Sequence, residues 1–221
     1  MNIRLMLIRL FLRITKAYIF YEWHLINQLD PNKMPNHIGI IIDGNRRWAK
    51  KKSVGSKLTY QIGGERVELM LHWCLDIGIK SITLYILSAE NLGRNGKELQ
   101  DLFDVIEKRL WKLYHDEILH NNKIRVKAIG ELEILPHKIK SIIMKLEEKT
   151  IQYSNHYLNI AIAYGGRLEM IGCIRKIAEK VFNGEITPSE IDERLIERFL
   201  YTCHLPDPDP DLILRTSGEE R

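Results

Sequence analysis

Five short runs of apolar residues, separated by longer segments with helical spacing, organise this sequence. The first run, residues 38–42, is almost continuously apolar and stops at Asp43-Gly44-Asn45. Such a run, bounded by turn residues, is typical of a strand buried on both faces of a parallel sheet. Similar runs predict four further strands, at residues 80–87, 124–129, 158–163 and 212–214.

Between these runs, apolar residues recur every three or four positions, as in amphipathic helices. One such stripe lies within residues 63–78 and consists of Val67, Met70, Leu71, Cys74 and Leu75. Further helices are predicted at residues 97–120, 136–153 and 168–182, and from the capping box at 187–190 to Tyr201. Strands alternating with helices predict a single α/β domain with a parallel sheet of about five to six strands flanked by helices.

Residues 1–34 form a separate N-terminal segment, and residues 35–221 form the predicted domain. Arg4, Arg9 and Arg13 interrupt the apolar residues of the segment, so no span reaches the roughly 20 apolar residues that a transmembrane helix needs. No small-residue cleavage site follows, so we do not expect a signal peptide. The segment predicts a basic amphipathic helix that either lies on an anionic membrane surface or packs on the domain, followed by a linker.

Composition narrows the class of protein further. The net charge of +4 and the pI near 8.8 suit an anionic substrate or membrane surface, and there is no nucleic-acid-binding motif. The three cysteines are widely spaced without a CxxC motif, which favours a reducing compartment. We therefore predict a cytoplasmic protein, with the N-terminal helix as a candidate peripheral contact to the inner face of the cell membrane.

The end of the first predicted strand carries the candidate chemistry. A helix opening at Arg46-Arg47-Trp48 would direct free backbone N–H groups and the positive end of its dipole at one point. A phosphate or diphosphate would fit there, with Mg²⁺ between it and the Asp43 carboxylate. Capped strand-to-helix turns occur in every α/β protein, so this geometry alone leaves a purely structural role open.

Four sequence motifs are more specific. DGNRRWA (43–49), SAENLGR (88–94), NIAIAYGGR (159–167) and DLILRTSGEER (211–221) resemble, in this order, motifs of the cis-prenyltransferases, the undecaprenyl diphosphate synthase family, in its archaeal type. The resemblance implies repeated, Mg²⁺-assisted condensation of isopentenyl diphosphate onto an allylic diphosphate primer, farnesyl or geranylgeranyl diphosphate. It also implies a homodimer that makes a cis-polyprenyl diphosphate.

The resemblance also implies a role for each matching residue. Asp43 would hold Mg²⁺ on the allylic diphosphate, and Asn91 matches the position assigned as proton acceptor. The substrate-binding positions implied in the same way are Gly44, Asn45, Arg46, Arg47, Trp48, Tyr60, Ser88, Ala89, Glu90, Leu92, Arg94, Arg215 and Arg221. Arg215 and Arg221 would bind isopentenyl diphosphate, and the others would cradle the allylic diphosphate or shape the site.

The sequence also departs from the family pattern. Tyr60 stands where the family has histidine, and Leu92 where it has an aromatic residue. The family pattern continues beyond Arg221 with a serine-containing stretch, an apolar helix and a glutamate metal ligand. We therefore expect a C-terminally truncated chain that binds the allylic diphosphate but condenses it poorly and aggregates or dimerises weakly.

Several alternatives remain open from sequence alone. The chain could be an inactive fragment or a non-catalytic partner subunit of a cis-prenyltransferase, or a phosphatase with Asp43 as nucleophile. The alternating Asp207, Asp209 and Asp211 are either metal ligands or part of a solvated, proline-rich loop. For the transferase, we expect the product chain in an apolar tunnel between the helix near Gly63 and the helix at 97–120.

Overall fold

A computed structural model of the protein describes residues 17–93 and 96–217. The chain divides into two compact units, Met1–Met34 and Pro35–Arg221. The described part of the first unit contains helix α1 (Ala17–Ile26) and a 3₁₀ turn at Pro31–Lys33. The predicted basic positions Arg9, Arg13 and Lys16 lie outside the described residues. Within those residues, no helix has the length and apolar character needed to cross a membrane.

The second unit is built on a parallel sheet, as predicted. Its five described strands lie in the order β3-β4-β2-β1-β5, and every neighbouring pair is parallel. Their bounds are β1 His37–Ile41, β2 Ser81–Ser88, β3 Ile124–Ile129, β4 His156–Tyr164 and β5 Leu212–Arg215. The α/β class and the five predicted strands are therefore confirmed, because each apolar run pairs with at least one other strand. Strand β5, at one edge, is exposed.

Helices connect these strands. Their bounds are α2 Asn45–Lys52, α3 Ser56–Asp76, α4 Gly96–His115, α5 Ile118–Asn121, α6 His137–Thr150, α7 Gly166–Phe182 and α8 Glu193–Phe199. Short 3₁₀ turns lie at Ala89–Gly93, Leu132–Ile134 and Pro188–Glu190. Helices α3 and α4 pack against each other, as do α4 and α6.

The helix predicted at residues 63–78 already begins at Ser56 in the structure. Two other predicted helices also differ at their ends. The helix predicted from the capping box at Thr187 is only a 3₁₀ turn, because Ile191 is extended and Asp192 then caps a new helix, α8, through the Leu195 N–H. The helix predicted to reach His120 ends at His115. There the Asp116 carboxylate accepts the Ile118 N–H and starts the short α5. In both cases an aspartate satisfies the free N–H groups of a second helix start.

The two faces of the sheet differ in polarity. The face below α3 and α4 is apolar and includes Ile82 and Leu84. The opposite face carries a chain of hydrogen bonds from His37 Nε2 to Thr83 Oγ1 (2.8 Å), from Asn159 Nδ2 to Thr83 Oγ1 (3.3 Å), and between Asn159 Oδ1 and His204 Nε2 (2.9 Å). Burial lowers the pKa of His204 to about 4. Burial also lowers the pKa of His37. The hydrogen bonds tie three strands together.

Asp211, one of the three alternating aspartates, has a structural role. Its carboxylate accepts the backbone N–H groups of Asn36 (2.7 Å) and His37 (3.0 Å) at the start of β1, and these bonds lower its pKa. Residues 17–93 and 96–217 contain no cluster of three His, Cys, Asp or Glu side chains that could hold a metal ion. Asp211 thus aligns β5 with β1.

Candidate functional site

Three neighbouring strands bring the predicted site residues to one edge of the sheet. Ile41, the last residue of β1, lies opposite Tyr85 on β2 and opposite Arg215 on β5. Asp43 lies two residues after the end of β1, and the 3₁₀ turn Ala89–Gly93 follows β2. Because all three strands are parallel, their carboxyl ends meet at this edge, where open α/β sheets form their ligand sites.

Asp43 is the centre of the polar contacts at this edge. Its Oδ2 accepts Arg215 Nη2 at 2.6 Å and Nε at 3.1 Å, and Arg47 Nη2 lies 3.8 Å away. Its Oδ1 accepts the Gly44 N–H at 2.6 Å. The hydrogen bonds from Arg215 hold the pKa of the Asp43 carboxyl below its usual value, although partial burial opposes this. The side chain is 36% exposed, so it remains accessible to a ligand.

The turn after Asp43 packs closely against the turn after β5. Gly44 has a φ of +91°, and a Cβ placed there would lie 3.4 Å from the Ser217 Cα. Glycine adopts this left-handed conformation without steric cost. Thr216 supports the same turn, because its hydroxyl accepts the Asp43 N–H at 3.0 Å and donates to the Asp43 carbonyl at 2.7 Å. Our sequence analysis assigned no role to Thr216, since this contact spans 173 residues.

Helix α2 begins directly after Gly44, with the Trp48 N–H bonded to the Gly44 carbonyl at 2.9 Å. The backbone N–H groups of the first helical residues have no acceptor within the helix. The Arg46, Arg47 and Trp48 side chains that follow are exposed. This edge therefore offers backbone N–H groups, two guanidinium groups and a helix N-terminus to an anion.

Tyr60 and Glu98 form a second polar contact beside this helix start. The Tyr60 hydroxyl donates to Glu98 Oε1 at 2.7 Å, and Arg46 Nε lies 3.7 Å from the same oxygen. Tyr60 is buried, and its hydroxyl makes this polar contact from within the core. Sequence analysis missed Glu98, because nothing in the first turn of an amphipathic helix distinguishes this carboxylate from a solvated one.

The segment after β2 folds back on the strand end. The Asn91 N–H donates to Ser88 Oγ at 3.2 Å, and Ser88, Ala89, Asn91 and Leu92 are half-buried, whereas Glu90 is exposed. Tyr85 lies earlier on β2, and its hydroxyl donates to the Tyr164 carbonyl at 3.1 Å. Arg94 and Arg221 lie outside the described residues.

An elongated apolar cavity opens beside the helix start. It has a volume of about 200 Å³ and lies between α3 and α4, above the apolar face of the sheet. Ile42, Asn45 and Tyr60 line its upper end, next to the polar edge. Leu102 lines the cavity and its neighbour Phe103 does not. The cavity is placed between the two helices where we predicted a tunnel.

Comparisons with known proteins agree with one another. A family model described as "Putative undecaprenyl diphosphate synthase" matches residues 41–221. A tritrans,polycis-undecaprenyl-diphosphate synthase (geranylgeranyl-diphosphate specific) of Methanocaldococcus jannaschii is 44% identical over 201 residues, which cover 91% of this chain and 72% of that protein.

Solved structures show the same likeness. The crystal structure of lavandulyl diphosphate synthase from Lavandula x intermedia, in complex with dimethylallyl diphosphate, is similar with a TM-score of 0.81 and 34% identity. The match covers 85% of this chain and 79% of that one. A structure described as a probable undecaprenyl diphosphate synthase from Campylobacter jejuni has a TM-score of 0.60 and 27% identity, covering 84% and 77%.

The contact between Asp43 and Arg215 predicts a pH effect. A carboxyl whose folded pKa is lowered stabilises the fold above its unfolded pKa, near 3.9, and this contribution is lost as the pH falls through the folded pKa. We expect Arg215→Gln to raise the pKa of Asp43, measured by NMR titration. The stability difference from the wild type should shrink below about pH 4. Arg47→Gln, which removes the more distant cation, is the control and should shift the pKa less.

Proposed function

We propose that this chain elongates geranylgeranyl diphosphate with isopentenyl diphosphate to a cis-polyprenyl diphosphate. The premise is that the chain belongs to the undecaprenyl diphosphate synthase family of cis-prenyltransferases. One observation carries the proposal: an anion-binding helix start opens directly onto an apolar cavity, and Asn45 belongs to both. An allylic diphosphate has this combination of an anionic head and an apolar tail. The specificity of the primer is taken from the relatives' names.

The diphosphate of the primer would lie at the start of α2. There the Asn45–Arg47 backbone N–H groups and the guanidinium groups of Arg46 and Arg47 can stabilise the negative charge that builds on the leaving group, and the Gly44 turn brings them together. Trp48 would flank the substrate. A phosphatase would have no use for the apolar cavity, so the geometry favours chain elongation over that alternative.

The donor set at this edge fits Mg²⁺. Magnesium in proteins is held by one or two carboxylates together with substrate phosphates and water, and Asp43 is an accessible carboxylate beside the proposed diphosphate position. When bound, Mg²⁺ would neutralise the diphosphate and make it a better leaving group. The Arg215 contact occupies Asp43 in its absence and keeps the carboxylate ionised.

Isopentenyl diphosphate would bind on the β5 side of the same edge, with Arg215 and Arg221 as its cations. In each cycle, the diphosphate leaves the allylic carbon, a carbon–carbon bond forms and a proton is lost. The Asn91 amide is a weak base, so we propose that Asn91 orients the reactants and that the departing diphosphate takes the proton. Ser88, Ala89, Glu90, Leu92 and Arg94 would shape this part of the site.

Two finer parts of the proposal concern assembly. Helix α7 exposes Met170, Ile174 and Phe182 beside an apolar groove that extends to α8, which suits a homodimer interface.

Helix α1 exposes Phe20, Tyr21 and Trp23 and follows the basic residues of the N-terminus, which suits an anionic membrane surface. Sedimentation velocity and flotation with anionic vesicles test these two parts. A monomer, or a chain that does not float, would contradict them.

The proposed reaction predicts the effect of Asp43→Ala. Incubating the chain with labelled isopentenyl diphosphate, geranylgeranyl diphosphate and Mg²⁺ should give extractable labelled polyprenyl products. Asp43→Ala should lower turnover by at least about 10²-fold, because it removes charge stabilisation at the leaving group. Asp104→Ala is the control, since Asp104 is similarly exposed (43%) and ion-paired but lies on α4. Equal turnover of the Asp43→Ala variant and the wild type would disprove the assignment.

The cavity predicts where product length can be changed. Leu102 lines the cavity and Phe103 does not, so Leu102→Trp should shorten the products, because the larger ring fills space that the chain needs. Phe103→Trp adds similar bulk one position away and should leave product length unchanged. Thin-layer chromatography of the dephosphorylated products measures both. Identical products from the two variants would count against the cavity as the product tunnel.

A further inference from the structure

Charged side chains also lie in the lining of the apolar cavity: Glu68, Lys80, Arg109, Lys112 and Asp116. Arg109 on α4 and Glu68 on α3 both line it, and Arg109 Nη1 donates to Glu68 Oε1 at 2.7 Å. The two side chains are only 24% and 29% exposed. Partly buried charges are costly unless they are paired and hydrogen-bonded, and here each side chain is the partner of the other.

Arg109 also bonds to the main chain of the facing helix. Its Nη2 donates to the Gln61 carbonyl at 2.9 Å, and the same nitrogen lies 3.6 Å from Glu65 Oε1. One guanidinium thus contacts three residues of α3 from its place on α4. We call the contact of Arg109 with the Gln61 carbonyl and the Glu68 carboxylate the Arg109 brace.

Gly64 leaves room for the Arg109 side chain between the two helices. A Cβ at this position would lie 2.9 Å from Arg109 Nε and 3.4 Å from its Cζ. Glycine is unfavourable inside a helix, yet here its missing side chain lets the guanidinium lie flat on α3. The spacing of α3 and α4 at this level is therefore set by the arginine in place of apolar side chains.

The Arg109 brace lies part-way along the cavity, because its contacts on α3 run from Gln61 to Glu68. Glu68 is eight residues beyond Tyr60 on α3, which is about 12 Å further from the polar edge at 1.5 Å per residue. The cavity continues past this level, since Leu75 and Ile79 line its far end. An apolar chain that grows from the polar edge must pass the brace to reach that end.

We propose that the Arg109 brace is a determinant of product length in this protein. It joins α3 to α4 between Gln61 and Glu68 and fills the space beside Gly64, so that a growing prenyl chain meets a polar section of wall there. The proposal rests on the proposed function, because it assigns the cavity to the prenyl chain.

The first test is the product distribution of Arg109→Ala. The substitution empties the space beside Gly64 and leaves Glu68 paired with Lys112, whose Nζ lies 2.7 Å from Glu68 Oε2. We expect products longer by at least one isoprene unit, with an unchanged KM for isopentenyl diphosphate, because that substrate would bind at the opposite end of the cavity. Arg109→Met, which keeps the packing on Gly64 but loses the hydrogen bonds, should give a smaller shift and serves if Arg109→Ala does not fold.

The matched control is Lys112→Ala. Lys112 also lines the cavity and reaches the same Glu68 carboxylate, but from a more exposed position (59%) and without the bond to the α3 main chain that Arg109 makes. Its loss should leave the product distribution as in the wild type. Wild-type products from folded Arg109→Ala and Arg109→Met would overturn the proposal, and so would equal lengthening by Lys112→Ala.

A second test does not depend on turnover. The affinities of the wild type and Arg109→Ala are measured by calorimetry for prenyl diphosphates of increasing chain length. Wild-type affinity should stop rising once the chain reaches the brace, whereas the variant should bind the longer chains at least about tenfold more tightly, because more apolar surface leaves water. Identical length profiles would overturn the proposal. A wild type that binds these ligands but forms no products would instead contradict the proposed function alone.

Discussion

The parallel pairing of β1 with β2 on one side and β5 on the other is the constraint on which the site depends. Each strand ends in a different polar segment, and only their common register brings Asp43, the turn at 89–93 and Arg215 to one edge. The Asp211 carboxylate helps to fix this register by binding the first N–H groups of β1. The polar groups at this edge therefore meet only because strands from segments more than 170 residues apart are aligned.

Sequence patterns predicted the parts of the fold that depend on local chemistry. A continuous apolar run such as 38–42 can be buried only in the middle of a sheet, and its polar stop at Asp43 marks the carboxyl end of the strand. The turn at Ala89–Gly93 and the break before α5 were not predicted, because they depend on competition among neighbouring N–H acceptors such as Asp116. Propensity does not resolve that competition.

The sequence likewise predicted some residues of the site and missed others. Asp43, Gly44 and the arginines stand together in one motif, so the pattern located them. Glu98 and Thr216 act through contacts that only the packing of α4 and the register of β5 create. The Arg109 brace is hidden for a similar reason: an arginine on an amphipathic helix is ordinarily a solvated residue, and Gly64 gives no signal until the two helices are placed side by side.

The hydrogen bond between Arg215 and Asp43 has a thermodynamic consequence for the two halves of the edge. One carboxylate oxygen accepts hydrogen bonds from two of the three guanidinium nitrogens, so a cation that binds Asp43 and an anion that binds Arg215 each remove one partner of the same pair. Once the first ligand has broken the contact between Asp43 and Arg215, the second ligand binds without that free-energy cost. The two events are linked equilibria, and each favours the other by the free energy of the shared contact. Cooperation between unlike ligands therefore requires no movement of the sheet.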